Sequence, residues 1–484
     1  MKDAGKEITY RQLTMWDYPW MRTAEQETEM EVYQPGRTPE NNGTGADKRM
    51  LERIVAKGNL KLAVRKVVSN GGSAGIDQMT VRELKDYFEE NGEQIAETIL
   101  KGKYRPKPVK RVEIPKEEKG KTRSLGIPTT VDRVIQQAIA QVLMPIYDPT
   151  FSEHSYGFRP GRKAQDAVIK CTEYMNSGYE YVVDMDLEKF FDTVNQSKMA
   201  EILSRTIKDG RVISLIHRYM QAGVVVQEHY EETLTGVSQG GPLSPLLSNI
   251  MLNELDKELE KRGHRFVRYA DDCMILCRSR KAAERTKESI TRYIEGKLFL
   301  KVNREKTVVA ECTEVKYLGF GFYRRKMDGE IRIKVHPKSE RKMKDRIREL
   351  TRRNQSRSHE ERSKEANVYI RGWVNYYGIA DMKTLARVTD GWMRRKIRTI
   401  IWKEWKRPKT RIRELEKRGI SRKTARQYGT SPKGYWRMAK TPAIHRALGD
   451  KVIRGLGYIT FTEQFEKVCD TGGTAVCGPA CTVV

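Results

Sequence analysis

Tyr269-Ala270-Asp271-Asp272 sets two carboxylates side by side between the apolar runs Phe266-Val267-Arg268 and Cys273-Met274-Ile275-Leu276-Cys277. Two β-favouring runs around a compact acidic pair predict a β-hairpin with carboxylates at its tip. Adjacent Asp side chains repel, and a fold tolerates that best with a cation between or beside them. A solvated acidic turn is the plain alternative, and the tetrapeptide alone does not decide. A second acidic element, Tyr181-Val182-Val183-Asp184-Met185-Asp186, opens as a strand, so Asp184 and Asp186 share one of its faces. Laid beside the hairpin, it would make a three-carboxylate cluster. Hard oxygen ligands of this kind suit Mg²⁺, which keeps waters and completes its shell with substrate phosphates.

Three other stretches could serve the same chemistry. Tyr104–Pro115 and Thr122–Pro128 alternate as two strands of a hairpin, with Lys116 and Arg123 facing each other as a fork of positive charge suited to a triphosphate. Ordinary surface charge is the bland reading of that pair. Ser155-Tyr156-Gly157-Phe158-Arg159-Pro160-Gly161-Arg162 sets aromatic rings beside Arg159 and Arg162, a mix suited to stacking on bases and gripping phosphates. Thr235–Leu246 is a Gly-rich turn opening an apolar helix, in which Gln239 offers both donor and acceptor atoms and Gly240-Gly241 permit close backbone approach.

Charge locates the partner. The 484 residues carry a net +28, and residues 331–440 hold 34 Lys and Arg against 11 Asp and Glu, a net of +23. Solvated helical faces mix both signs, so an unbalanced block points to a polyanion, with nucleic acid as the default. Arg394, Arg395, Lys396 and Arg398 are expected to face phosphate. Trp373, Trp392, Trp402 and Trp405, at helical spacing, read as the core of a helical bundle. No run of about 18 apolar residues marks a membrane span, and the N-terminus lacks a signal-peptide core. Seven scattered cysteines fit reduced thiols in a cytoplasm.

Along the chain, residues 1–45 read as a polar extension broken by Pro35-Gly36 and Asn41-Asn42-Gly43. Helical periodicity follows from Ala46, with Thr80 as an N-cap before a second helical face, and a further helix is expected from Val131 to about Ile146. Lys297–Thr307 and Tyr317–Tyr323 read as strands. Helices are expected over Arg341–Leu350, Glu360–Tyr377 and Asp381–Trp405, with Pro408 marking a boundary before a small basic domain.

Taken in order, Lys116 and Arg123, Asp186 with Phe191, Gln239-Gly240-Gly241, Tyr269-Ala270-Asp271-Asp272, Lys306 and Leu318-Gly319-Phe320 resemble the fingers and palm of a reverse transcriptase. Ser155–Arg162, Asp184–Val194 and Gly236–Leu246 resemble bacterial group II intron-encoded proteins, compact group IIC-like members above all, over roughly residues 46–465. The resemblance implies an α+β right-hand polymerase fold: fingers within 46–150, palm within 151–330, a helical thumb over 331–408, a DNA-binding domain over 409–465 and a tail over 466–484. It implies Asp186, Asp271 and Asp272 as catalytic carboxylates holding two Mg²⁺ ions, with Mn²⁺ as a substitute. It makes Lys116 and Arg123 the triphosphate clamp, Phe191 the bulky gate against a ribose 2′-hydroxyl, Gln239 a nucleotide contact and Lys306 a group acting on pyrophosphate.

Implied partners are deoxynucleoside triphosphates, an RNA template with a DNA primer, target DNA, and the intron RNA, held in its splicing-active fold as by a maturase. A bacterial cytoplasmic location goes with them. Val237-Ser238 replaces the family's usual Thr-Pro before Gln239, with activity expected to survive. Cys469, Cys477 and Cys481 do not match the spacing of the family's endonuclease, so no endonuclease is expected. A maturase whose polymerase is vestigial, and a reverse transcriptase domesticated for another task, remain the alternatives.

Overall fold

The computed structural model describes residues 49–115, 122–227, 229–233, 235–237 and 240–470, apart from the side chain of Arg123. The chain divides into two compact units, with the main boundary between Ala310 and Glu311.

The first unit runs α1 (Met50–Val55), α2 (Lys57–Asn70), α3 (Leu84–Leu100), β1 (Val109–Pro115), β2 (Thr122–Ile127), α4 (Thr130–Tyr147) and α5 (Ala164–Asn176). It continues with β3 (Tyr181–Met185), α6 (Phe190–Thr193), α7 (Gln196–Thr206), α8 (Gly210–Met220), β4 (Val224–Val226), β5 (His229–Glu231) and α9 (Ser244–Lys261). The hairpin strands β6 (Arg265–Tyr269) and β7 (Asp272–Cys277), then α10 (Arg280–Lys297) and β8 (Val308–Glu311), complete it. Helices and sheets are mixed as in an α+β polymerase fold.

Two four-stranded sheets result, in the orders β2-β1-β4-β5 and β6-β7-β3-β8. Apolar residues recur at helical spacing along α4, where Val134, Ile135, Ala138, Ile139, Val142 and Leu143 are buried, and Thr129 caps its start by accepting from the Asp132 amide. In the β6-β7-β3-β8 sheet, Val183, Met185, Phe266, Cys273 and Ile275 point into the core shared with α4 and α9. Strand alternation sends the intervening residues to the other face.

The second unit has a three-stranded sheet of β9 (Lys316–Tyr317), β10 (Phe320–Arg324) and β11 (Ile331–Val335) in the order β11-β10-β9. Helices follow: α11 (Pro337–Leu350), α12 (His359–Tyr377), α13 (Lys383–Glu404), α14 (Pro408–Lys417), α15 (Arg422–Gly429), α16 (Tyr435–Met438), α17 (Pro442–Ala447), α18 (Asp450–Gly455) and α19 (Phe461–Asp470). Trp373, Trp402 and Trp405 are core residues. Trp392, the remaining member of that series, is only half-buried. A capping box of Ser358 and Glu361 starts α12.

Local expectations fail at three places. Lys297–Thr307 is not a strand: α10 runs through Lys297, and beyond it only Val302 makes an isolated bridge, to Leu187. Tyr317–Tyr323 is two strands, because Leu318 and Gly319 take φ 48° and 88° and reverse the chain. Thr80 is not the cap of α3, which begins at Leu84; the Thr80 amide and hydroxyl instead donate to the Glu83 carboxylate. Among the described residues, no helix is long and apolar enough to cross a membrane.

Candidate active site

The β6–β7 hairpin closes on two residues. Tyr269 pairs with Asp272, leaving Ala270 and Asp271 as the turn. Ala270 adopts φ 57°, a left-handed conformation that costs a residue with a Cβ about 1–3 kcal/mol. The surrounding atoms over-determine it. Arg268, fully buried, donates from Nη1 to the Ala270 carbonyl at 2.9 Å and to Asn249 Oδ1 at 3.0 Å. Its Nε and Nη2 meet the Asp256 carboxylate at 2.7 and 2.5 Å, a bidentate pair with both partners wholly out of solvent. Asn249 donates in turn to the Gly157 carbonyl at 2.8 Å. A Cβ on Gly157 would stand 2.2 Å from the Ala270 amide nitrogen, so only glycine lets this segment lie under the turn.

The Ser155–Arg162 loop is therefore a support for the acidic hairpin. The Tyr156 amide donates to the Arg268 carbonyl, and the Arg268 amide to that of His154, both at 2.9 Å. This overturns the phosphate-gripping role expected of Arg159. Its guanidinium is buried, donating to Asp148 Oδ1 at 2.7 Å and to the carbonyls of Asp148, Ser152 and Ser155. Four of its five N–H groups are thus spent on the protein's own oxygens, in a buried position that does not face a phosphate. Arg162 reaches Glu153 Oε2 at 2.7 Å and lies 5.5 Å from the Tyr156 ring centre, partly exposed.

Strand β3 brings the second acidic element alongside. Asp184 pairs with Met274 and Met185 with Cys273, so one further step places Asp186 beside Asp272. Opposed residues of an antiparallel pair share a face. Asp184, Asp186, Asp272 and Tyr269 thus occupy the face opposite Met185 and Cys273, at the end of a row that begins with buried Val182, Val267, Met274 and Leu276. Burial pushes the Asp184 carboxyl up to about 6, with the negative charge of Asp186 adding to it. Asp271 presents surface to solvent at the turn, yet atoms crowded around its carboxyl raise it, and Asp186 raises it further. Lys306 Nζ lies 3.5 Å from Asp186 Oδ2. The Asp186 backbone is pinned by Thr307 Oγ1 on its amide at 3.2 Å and by the Asn303 amide on its carbonyl at 2.8 Å.

Among the described residues, no group of three or more His, Cys, Asp or Glu side chains is arranged to hold a metal ion. The expected three-ligand set is thus not drawn together as a closed cage. The donor chemistry still fits a hard cation: like-charged carboxylates crowd one edge, and Mg²⁺ commonly takes one or two carboxylates and leaves the rest to water and phosphate.

Phe191, half-buried, meets Phe190 edge-on at 5.2 Å on the segment after β3. The Val237 amide donates to the Phe191 carbonyl at 2.6 Å, and Gly236 (φ 92°) passes so close that a Cβ would meet that carbonyl at 2.8 Å. Buried Gln196 ties the same segment down, donating to the carbonyls of Met220 and Gly236 at 3.0 and 3.2 Å. The close approach expected of Gly240-Gly241 is to the protein itself: a Cβ on Gly240 would meet the Gly126 carbonyl of β2 at 2.2 Å. Lys116 and Gln239 lie outside the described residues, and the β1–β2 register places the Arg123 backbone opposite Ile114 rather than Lys116.

In the second unit the four basic residues of α13 separate. Arg398 is buried and donates to the Leu448 carbonyl at 2.9 Å, so it does not face phosphate. Arg394 is ion-paired with Asp450. Arg395 stacks 3.8 Å from the Trp436 ring centre, and Lys396 lies 5.5 Å from Trp392.

Sequence reasoning missed Arg268, Asp256, Asn249, Gln196 and Thr307. One signal was present: Asn249, Asn253 and Asp256 sit four and three apart among the Leu, Ile and Met residues of one helix face, a polar stripe that a buried face carries only if something satisfies it.

Residues 114–322 match the family described as reverse transcriptase (RNA-dependent DNA polymerase), and residues 340–419 match the group II intron, maturase-specific domain. Protein YkfC of Escherichia coli (strain K12) is 30% identical over 327 residues, covering 59% of this chain and 86% of YkfC. Group II intron-encoded protein LtrA of Lactococcus lactis subsp. cremoris is 29% identical over 299 residues, covering 48% of this chain and half of LtrA. Nuclear intron maturase 2 of Arabidopsis thaliana, a mitochondrial protein, is 28% identical over 177 residues, covering 28% of this chain and 24% of the relative.

Proposed function

From a chain that belongs to the group II intron-encoded reverse transcriptases, with a polymerase domain followed by a maturase domain, we propose an enzyme that extends a DNA primer on an RNA template with deoxynucleoside triphosphates. The same protein binds its intron RNA as a maturase and acts on target DNA during intron mobility. The observation that supports this reading is the β3–β7 pairing, which runs to Met185 and Cys273 and so ends next to Asp186 and Asp272, with Asp271 on the adjoining turn near enough for the Asp186 charge to raise its carboxyl. Reverse transcriptases use divalent metal ions, and we assign two Mg²⁺, replaceable by Mn²⁺, to Asp186, Asp271 and Asp272.

When bound, the metal would lower the pKa of the primer 3′-hydroxyl and offset charge on the leaving pyrophosphate. The protein's part is positioning. Asp271 is fixed by a turn that Arg268 and Gly157 hold from beneath, so it needs no reorganisation as charge develops. Lys306, at 3.5 Å from Asp186, offers a positive charge and a proton on the same edge. Phe191 restricts the ribose 2′ position, and Lys116, Arg123 and Gln239 receive the triphosphate and base. Arg162, Arg395 and Lys396 contribute to nucleic-acid binding. We assign α11–α13 to the thumb and the basic helices beyond Pro408 to DNA contact, and place the protein in a bacterial cytoplasm, LtrA and YkfC being proteins of bacteria.

The test is primer extension. Extension on an RNA template with deoxynucleotides, lost on chelation of divalent ions and restored by Mg²⁺, supports the assignment; binding of intron RNA without any extension overturns it.

A further inference from the structure

The end of α11, the loop after it, α13 and α16 surround a cavity of about 360 Å³, within the size range of small-ligand sites. Arg348, Arg352, Arg353, Asn354, Lys396 and Trp436 line it, and no carboxylate does. Arg348 pairs with Asp345, whereas no carboxylate among the described residues lies within ion-pair distance of Arg352, Arg353 or Lys396. Burial and the positive charges of Arg348 and Arg353 together lower the Lys396 ammonium. The concentrated charge is incompletely compensated, and an anion seated there would relieve it.

The wall is built, not loosely draped. Buried Arg362 gathers the loop by donating to the carbonyls of Leu350, Arg352, Gln355 and Arg357. Lys403 adds a bond to the Arg353 carbonyl at 3.0 Å, and the Arg353 guanidinium lies 5.1 Å from the Tyr435 ring. Trp436 supplies an aromatic side to the cavity. Arg395 stacks on its indole at 3.8 Å and anchors to its carbonyl at 2.9 Å, while the residue stays 40% exposed.

We infer that this cavity takes one unpaired nucleotide of the RNA bound by the maturase domain, its phosphate among Arg348, Arg352, Arg353 and Lys396 and its base against Trp436. The inference rests on the maturase reading and adds a site to it. A paired helix keeps its bases stacked and offers a protein mainly backbone and 2′-hydroxyls, whereas an extruded base presents a free π-face to an aromatic ring. A concave basic pocket with an indole wall suits the second and not the first.

The experiment uses the full chain and three RNA hairpins: fully paired, carrying a one-nucleotide bulge, and carrying the same bulge without its base. The bulged hairpin is expected to bind about tenfold tighter than the other two, in line with the loss of one base–aromatic stack. Trp436→Ala should remove that advantage of the bulged over the paired hairpin, and Trp436→Phe should keep most of it. Equal binding of all three hairpins overturns the nucleotide pocket and leaves the RNA-binding reading standing. Binding of none overturns both.

Discussion

Arg268 Nη1 donates at 2.9 Å to the carbonyl of Ala270, two residues along the chain and inside the turn that carries Asp271. The residue that leads into the acidic tetrapeptide thus holds that tetrapeptide's strained backbone from below. The same guanidinium is neutralised by Asp256 in full burial. One side chain links the helix behind the sheet to the position of a carboxylate in front of it.

Arg268→Met alone should destabilise the fold by about 3–5 kcal/mol, because it leaves Asp256 buried and uncompensated. Adding Asp256→Leu should recover most of that stability without recovering catalysis. Urea midpoints and single-nucleotide kinetics separate the two effects: the double variant should lose kcat far more than it raises KM. A stable double variant with intact kcat would remove Arg268 from its positioning role.

Gly157→Ala places a methyl where the Ala270 amide now sits. A displacement of about 1 Å at a reacting centre costs on the order of a hundredfold in rate. Primer extension should fall by about that factor, while Gly58→Ala, with open space around its Cβ, should leave the rate unchanged. Equal rates for the two variants would contradict the close packing under the turn.

Arg159 and Arg353 should behave as opposites although both are arginines in basic stretches. Arg159→Gln should lower the unfolding midpoint and leave the salt dependence of RNA binding as it is, since its donors serve internal carbonyls. Arg353→Gln should leave the midpoint nearly unmoved and reduce the slope of log affinity against log salt by about 0.7–0.9, the loss of one phosphate contact. Salt titrations of both variants, with thermal melts, decide this; a reduced slope for Arg159→Gln would restore that residue to the nucleic-acid surface.

His154 gives the fold an acid sensitivity. Its ring packs edge-on against Phe266 at 5.1 Å and bonds to the Tyr174 hydroxyl at 3.2 Å. Burial lowers its pKa from 6.5; Lys170 and Arg265 also lower it, against Glu260 and Asp256. The unfolded chain therefore takes up its proton at higher pH than the folded chain. Its contribution to stability is full above about pH 6.5 and is lost as the pH falls through the depressed folded value. His154→Gln should flatten the fall in stability below pH 6.5, measured by urea unfolding across pH 5–8, and an unchanged profile would exclude His154 as its source.

Much of the site could be read from residue types in order. The tetrapeptide 269–272 with flanking β-formers fixed a hairpin, and the spacing of Asp184 and Asp186 fixed a shared face; both are properties of local periodicity. The second unit's Trp373, Trp402 and Trp405 likewise follow helical spacing into a core. What was not legible depends on long-range packing. Arg159 looks like any exposed arginine until Asp148 and the Ser152 carbonyl close around it, and Arg398 differs from Arg395 only by the side of α13 it occupies. The support under Asp271 joins residues 157, 249, 256 and 268, and no short window contains them. Lys297–Thr307 misleads for the reverse reason: its alternating residues suit a strand, but α10 extends through Lys297 and the rest finds no long partner.

The most direct measurement is single-nucleotide incorporation on an RNA template and DNA primer with Mg²⁺, for the intact chain and for Asp186→Asn and Asp271→Asn, with RNA affinity measured on the same preparations. Loss of incorporation by about a thousandfold or more in each variant, with RNA affinity unchanged, is the expected result. Incorporation at the intact rate by either variant, or loss of RNA binding together with incorporation, would contradict a polymerase site at Asp186 and Asp271.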